Sequence, residues 1–437
     1  MKLFSIKTFG CQMNEYDSER IAGILSSLSM KRAENGEIPD IYIVNTCAVR
    51  EKSEEKLFSF LGRIKELKKK KRVIIGVTGC VSQVEREKIF QRAPYVDFVL
   101  GPHAYKEIPR ILEEIEKKEK VIDVRWRKEY QEIEKGPLRE SPFSAYITVM
   151  EGCNKFCSFC IVPFARGREI SRSMENILKE AKELAEKGYK EIQFLGQNID
   201  AYKDPDSGAG LAELLKKASE IEGIEWIRFI TSHPKDIDEK FILSIKELEK
   251  VTKYIHLPAQ AGSNSVLERM RRGYTREEFI EKVNMIRSHI PNISIGTDII
   301  VGFPGETEEE FEDTLRLLEE VRFDNLYSFK YSPRKGTLAS RMKDDVPKQV
   351  KIERLIKVQE LQKRIQLEKN KSFVGKIIKV LVTGSSKKDP SIYAGRDEGN
   401  RVVNFRASKN LMGEFAQVFI EEGTPHSLKG VWVEDKV

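Results

Sequence analysis

The chain has 437 residues, 33% of them charged and 40% hydrophobic, and carries a formal net charge of +7. This composition excludes a disordered polypeptide, and no apolar run approaches the ~20 residues needed to cross a bilayer. The length exceeds what one core usually supports, so two or three domains are expected. The start, MKLFSIKTFGCQMN, alternates as a strand does and lacks the apolar region and small-residue cleavage site of a signal peptide. A cytoplasmic protein is therefore expected. The positive balance is compatible with a polyanionic partner, and the mixed Lys/Glu surface suits a heat-adapted host equally well.

In chain order, the first segment repeats one unit three times: an apolar strand, a turn bearing a cysteine, and a helix. The strands are LFSIKTFGC ending at Cys11, IYIVNTC ending at Cys47 and RVIIGVTGC ending at Cys80. Strands alternating with helical patterns such as SEEKLFSFLGRIKELKKKK predict a doubly wound parallel sheet. All carboxyl strand ends then share one edge, where three cysteines distant in sequence can converge. A lone cysteine at a strand end is usually a small buried residue. Three in equivalent turns predict a three-ligand site. The run Lys68 to Lys71 reads as a helix end, where cations suit the dipole.

A charged stretch from Lys128 to Pro142 predicts a linker. Six strands then follow, at AYITVMEG, EIQFLGQN, WIRFITSHP, YIHLPAQAG, ISIGTDIIVGFPG and NLYSFKYSPRKG, with helical patterns between them. This is the rhythm of a β/α barrel two units short of closure, a partial (β/α)6 barrel. A long charged helix is predicted over Pro347 to Lys371. The tail, Ser372 to Val437, breaks into short strands between Gly and Asn turns and predicts a small antiparallel β-barrel akin to those that bind oligonucleotides. The expected domains are 1–120, 139–370 and 371–437.

The chemistry concentrates in GCNKFCSFC, where Cys153, Cys157 and Cys160 are spaced C-x3-C-x2-C with no fourth cysteine after them. Structural zinc takes four ligands, and none of His103, His233, His256, His289 or His426 lies near Cys160 in sequence. Zinc would need a distant fourth ligand, and an inert buried set sits poorly with so tight an array. An iron–sulfur cubane offers four irons, so three thiolates leave one open as a docking point. The sequence shows no Walker A loop and no clear acid–base constellation.

This spacing at the end of the first barrel strand, with the aromatic Phe159 before the last cysteine, resembles the radical S-adenosylmethionine superfamily. The resemblance implies a [4Fe-4S] cluster on Cys153, Cys157 and Cys160 whose open iron chelates the amino and carboxylate groups of S-adenosylmethionine. It also implies one-electron cleavage to a 5′-deoxyadenosyl radical, with the cofactors carrying the hard chemistry. Cofactor contacts are implied at Phe159, at Gly196, Gln197 and Asn198 of FLGQN, and at Ser232 of TSHP. VGFPGE, Val301 to Glu306, offers glycines for close approach. Ordinary strand-to-helix turns with helix caps explain any one of these equally well.

Nearly the whole chain resembles the radical S-adenosylmethionine methylthiotransferases. That family combines an N-terminal cluster domain, a radical core and a C-terminal TRAM domain. By position, Cys11, Cys47 and Cys80 match its auxiliary [4Fe-4S] cluster. KTFGCQMNEYDSE, NTCAVREKSEEK, GCNKFCSFCIVPFARGRE, LGQNIDAY and VGFPGETEEEF are similar to the MiaB type. That type methylthiolates C2 of N6-dimethylallyladenosine at position 37 of tRNA, one S-adenosylmethionine supplying the methyl group and another the radical. Two stretches depart from it: Phe164 and Ala165 stand where Tyr and Thr are usual, and Ala259 and Ala261 where Val and Ser are usual. Alternatives are methylthiolation of threonylcarbamoyl-adenosine tRNA or of a ribosomal-protein aspartate and, in another class, a non-catalytic RNA-binding iron–sulfur sensor.

The implied partners are a tRNA anticodon stem-loop and a one-electron donor such as flavodoxin or ferredoxin, with no membrane and a monomeric chain. In the tail, Lys376, Lys379, Lys387, Lys388, Arg396, Arg401, Arg406 and Lys409 interleave with Tyr393 and Phe405. The pattern suits single-stranded RNA. A solvated surface, which also carries Asp397, Glu398, Glu421 and Glu422, is the plain alternative. The tail is expected to grip the stem-loop and feed its base to the barrel mouth.

Overall fold

Alternating strand and helix patterns build the first sheet of the computed structural model, which describes residues 2–434 except 50, 118–119, 134–135, 231–232, 387–388 and 390, with residue 51 as backbone only. Ser232, Lys387 and Lys388 therefore lie outside the described residues. The strands are β1 (Leu3–Phe9), β2 (Lys31–Arg32), β3 (Ile41–Thr46), β4 (Ile74–Thr78), β5 (Phe98–Leu100) and β6 (Val121–Asp123). All pair in parallel, in the order β2-β1-β3-β4-β5-β6. Burial on both faces explains their unbroken apolar runs. Ile43 packs with Ile21, Leu25 and Ile108 from helices on one side, and its neighbour Val44 with Leu57 and Leu61 from the helix on the other.

The core continues with β7 (Ser144–Thr148), β8 (Met150–Glu151), β9 (Ile170–Ser171), β10 (Glu191–Leu195), β11 (Trp226–Ile230), β12 (Tyr254–His256), β13 (Ser294–Val301) and β14 (Asn325–Lys330). Parallel sheets β11-β10-β7 and β12-β13-β14 meet at a bridge between Ile227 and Val251, giving the open, six-stranded wall that the sequence predicts. The short antiparallel pair β8–β9 closes the base of the cysteine loop, with Glu151 opposite Ile170. The long helix runs Lys348–Lys371 and buries Val358, Leu361 and Ile365 in the core.

The tail forms a closed barrel of β15 (Ile377–Ser385), β16 (Ile392–Asp397), β17 (Val402–Arg406), β18 (Phe415–Gly423) and β19 (Leu428–Trp432), in the order β15-β16-β17-β19-β18. One pair, β17 with β19, is parallel. An odd number of strands cannot alternate direction all the way round a closed ring, so one parallel pair is required. The barrel docks on the amino ends of the core strands. Arg228 donates to the carbonyls of Asp397 (2.8 Å) and Glu398 (3.2 Å). Trp226 meets Phe415 edge to face at 4.7 Å, and Arg401 reaches Asp324 at 3.4 Å. Against the expectation from sequence, this is the end of the core opposite the cysteine loop. Among the described residues no helix is long and apolar enough to cross a membrane.

Candidate active site

Cys11, Cys47 and Cys80 follow the carboxyl ends of β1, β3 and β4, and the parallel pairing gathers them on one edge. The Cys47 thiol lies close enough to those of Cys11 and Cys80 for each to affect its protonation. Each turn is fixed locally. Cys11 caps the helix Gln12–Ser27, with its backbone N–H donating to Asn14 Oδ1 at 3.4 Å. Asn14 in turn bonds Asn45 beside Cys47 at 3.1 Å. Gly79 adopts φ +91°, and a Cβ there would come within 2.3 Å of Asn45 Oδ1, so only glycine lets the Cys80 turn lie against the Cys47 strand.

The hydrogen bond from Cys47 is the main cause that lowers the Cys80 thiol to about 6, against burial and with help from the Arg166 guanidinium. The same contact lowers Cys11 to about 7, while Cys47 is pushed well up. Two of the three thiols are thus prepared to ionise, as metal ligation requires.

The second trio sits in the loop closed by β8–β9. Gly152 turns the chain with φ +82°, where a Cβ would strike the Arg168 carbonyl at 2.1 Å. Cys153 N–H donates to Gly167 O at 3.1 Å and Cys160 N–H to Cys157 O at 3.0 Å. Ser158 pins the loop centre, its hydroxyl donating to Arg269 O at 2.7 Å. Arg272, buried, donates to Cys157 Sγ at 3.1 Å and to Pro258 O at 2.9 Å. Burial raises Cys153 to about 11 and Cys160 to about 12. A bound cationic centre would supply the charge that ionises them.

Gln197 and Asn198, at the carboxyl end of β10, face this loop. Gln197 Oε1 accepts from the Gly152 N–H. Asn198 Nδ2 donates to Asp236 at 2.9 Å, and Asp236 also pairs with Lys155 inside the cysteine loop. Among the described residues, Gln197 Nε2, Asn198 Oδ1 and His233 Nε2 are buried without a hydrogen-bond partner. Such orphans are rare unless a ligand completes them. Three thiols beside unmet donors and acceptors fit a cluster with a zwitterionic ligand at its free corner. Among the described residues no three His, Cys, Asp or Glu are arranged around a single metal ion.

The other candidates play different local parts. Phe159 packs with Val266, Met270 and Phe303 in an apolar cluster. Gly196 leaves room for Met150, whose Cγ would lie 2.7 Å from a Cβ there. The Val301–Glu306 turn is stapled to the long helix, because Glu306 accepts from Gly302 N–H at 2.6 Å and from Arg354 at 2.8 Å. Ser232 is outside the described residues.

Sequence reasoning missed the side chain that ties the segment after the cysteine loop to Cys80. Arg166 follows the cysteine loop at the end of the short helix Val162–Ala165. Its guanidinium donates to Cys80 Sγ at 3.3 Å and lies against Asp17 and Glu151 at 3.4 and 3.5 Å. The His103 ring meets the Arg166 carbonyl at 3.0 Å. The available signal was the helix Gln12–Ser27, which buries Asn14, Asp17, Ser18, Glu19 and Arg20. Such a polar buried face calls for charged partners.

A three-cysteine loop at the carboxyl edge of an open parallel barrel defines a radical S-adenosylmethionine protein, and residues 147–318 match the model described as "Radical SAM superfamily". Residues 3–101 match "Uncharacterized protein family UPF0004" and residues 371–433 the "TRAM domain". Among solved structures, the radical S-adenosylmethionine methyltransferase TsrM from Kitasatospora setae aligns with TM-score 0.57 at 13% identity, covering 78% of this chain and 77% of that one, a likeness of fold.

Two curated relatives are similar along nearly their whole length, both named tRNA-2-methylthio-N(6)-dimethylallyladenosine synthase. The one from Thermoanaerobacter pseudethanolicus is 47% identical over 99% of this chain and 93% of its own. The one from Carboxydothermus hydrogenoformans is 45% identical over 99% of both. The chain belongs to the tRNA-2-methylthio-N(6)-dimethylallyladenosine synthase family.

Proposed function

We propose that this enzyme methylthiolates C2 of N6-dimethylallyladenosine at position 37 of tRNA. The observation that carries the reading is that the segment closing the second trio reaches the first: Arg166 donates to Cys80 Sγ at 3.3 Å, and the carbonyl of the next residue, Gly167, accepts from Cys153 N–H at 3.1 Å. Cys153, Cys157 and Cys160 would hold a [4Fe-4S] cluster with S-adenosylmethionine, and Cys11, Cys47 and Cys80 a second one. When bound, these cofactors supply one-electron cleavage of a sulfonium, abstraction of an unactivated hydrogen, and a sulfur donor.

The protein's own part is positioning. Arg272 orients Cys157. Gln197, Asn198 and His233 offer polar atoms, unpaired among the described residues, to the amino-acid end of S-adenosylmethionine. His233 stays neutral, since burial, and then the Arg272 and Lys155 charges, lower it to about 2. It can therefore bond a ligand without adding charge. The Asp17–Arg166–Glu151 group fixes the N-terminal sheet against the loop. Residues 1–120, 139–370 and 371–437 serve as cluster domain, radical core and RNA-binding domain. The enzyme works in the cytoplasm as a monomer with a flavodoxin or ferredoxin as electron donor.

Anaerobic incubation with dithionite and S-adenosylmethionine tests the radical half. The reading expects 5′-deoxyadenosine, and its absence defeats it. Nucleoside mass spectrometry of tRNA from a deletion strain tests the substrate, and the methylthio group should be missing from dimethylallyladenosine alone.

A further inference from the structure

The tail barrel lies at the amino ends of the core strands, so a nucleotide entering between the cysteine trios must be held by something else at the carboxyl edge. A cleft of ≈ 880 Å³ opens there, between the N-terminal sheet and the cysteine loop. Gln83 of its lining is in the helix that begins at Cys80, and Phe156 lies between Cys153 and Cys157. Trp126, Phe156 and Phe164 line it with rings 44%, 41% and 43% exposed. Among the described residues these are three of the five aromatic side chains that rank as exposed large hydrophobics, so the clustering is not a scatter of surface residues.

Two of the rings have fixed neighbours. Trp126 sits edge-on to His103 at 5.4 Å and covers Gly167, where a Cβ would come within 2.9 Å of the indole. Arg168 lies over Phe156 at 5.6 Å. Arg86, Lys128, Arg168 and Lys335 also line the cleft. Among the described residues, none of the four is in ion-pair contact with a carboxylate. The neighbouring Lys88 lowers the Lys335 ammonium, and Glu85 offsets this only in part. The cleft's carboxylate, Glu169, already accepts from Asn154 N–H and Nδ2 at 3.0 and 2.9 Å.

Unpaired cations around exposed flat rings match a single-stranded polynucleotide, with phosphates on the cations and bases on the rings. An acidic peptide would satisfy the charges and leave three rings uncovered. We propose that this cleft stacks the unpaired anticodon-loop bases that flank the target nucleotide. The inference rests on the functional reading above and adds the surface that grips the loop.

The test is titration of a fluorescent anticodon stem-loop with the reconstituted full-length enzyme. Trp126→Ala and Phe164→Ala should each weaken binding by roughly tenfold, the usual loss for one stacking partner, whereas Phe164→Tyr should bind as wild type. Arg168→Gln and Lys335→Gln should each lower the slope of log K against log salt by about 0.7. Wild-type affinity in the Trp126→Ala/Phe164→Ala double variant overturns the stacking inference alone. Displacement of the RNA by polyglutamate at matched charge also overturns it. A wild-type enzyme that does not bind the stem-loop at all overturns the functional reading itself.

Discussion

Two buried arginines each donate to one cysteine, in different electrostatic settings. Arg166 meets Cys80 among two carboxylates, Asp17 and Glu151. Arg272 meets Cys157 with a tyrosine hydroxyl and a carbonyl as its other partners. The guanidinium charge is therefore offset at the first trio and largely uncompensated at the second. Replacing Arg166 by Met would leave the buried Asp17 and Glu151 with the more distant guanidinium of Arg20, at 4.0 and 3.7 Å. The expected cost is about 3–5 kcal/mol, read as a lower urea midpoint of the iron-free protein. Asp17→Asn added to that variant should recover part of the loss. An Arg166→Met protein as stable as wild type would contradict this account. The cysteines were legible in sequence because local spacing and repeated turns announce them. Arg166 and Arg272 were not, because their thiol partners are 86 and 115 residues away.

Among the elements, the helix Glu308–Val321 shows how a local motif was recruited to hold the barrel together. Thr307 caps it and Glu310 returns a bond to the Thr307 N–H at 3.0 Å. Glu310 also receives Arg269 at 2.7 Å. Burial raises this carboxyl, but the bonds from Arg269, Ser265 and Thr307 outweigh it and lower it from 4.5 to about 2. Because the folded value is depressed, the unfolded chain binds the proton first as pH falls. The stabilisation is complete above about 4.5 and is lost as pH falls towards about 2. Chemical denaturation should show Glu310→Gln less stable than wild type at pH 7, with the gap closing across that window. A gap that does not change with pH contradicts the assignment.

The six parallel core strands were readable from apolar runs ending in small or polar residues. The parallel β17–β19 pair was not, since strand direction in a closed ring is a property of the whole set. The Val301–Glu306 turn read as a cofactor approach, yet its Glu306 is tied to Arg354 in a helix whose sequence shows only a long charged pattern.

At the scale of the molecule, the core is a wall between two attachments. The N-terminal sheet covers its carboxyl edge, and the tail barrel its amino edge through Arg228, Trp226 and Arg401. A strand of five to eight residues at ~3.3 Å each separates the two edges by roughly 20 Å. An RNA touching both must span that distance, so tail and cleft hold different parts of it. Ending the chain at Lys371 should therefore spare 5′-deoxyadenosine formation without RNA and weaken stem-loop binding. Unchanged RNA affinity in the truncated enzyme would remove the tail from the interface. The division into three units is legible in the amino-acid pattern, because each unit has its own strand rhythm. Which edge each unit covers is not, since it depends on contacts such as Arg228 to Asp397, 169 residues apart.

The central claim is that the two cysteine trios do different work. It is tested most directly by the products of the Cys47→Ala enzyme after anaerobic incubation with dithionite, S-adenosylmethionine and the dimethylallyl stem-loop. The account predicts 5′-deoxyadenosine with no methylthiolated nucleoside, whereas Cys157→Ala should give neither. A Cys47→Ala enzyme that still methylthiolates the RNA would contradict it.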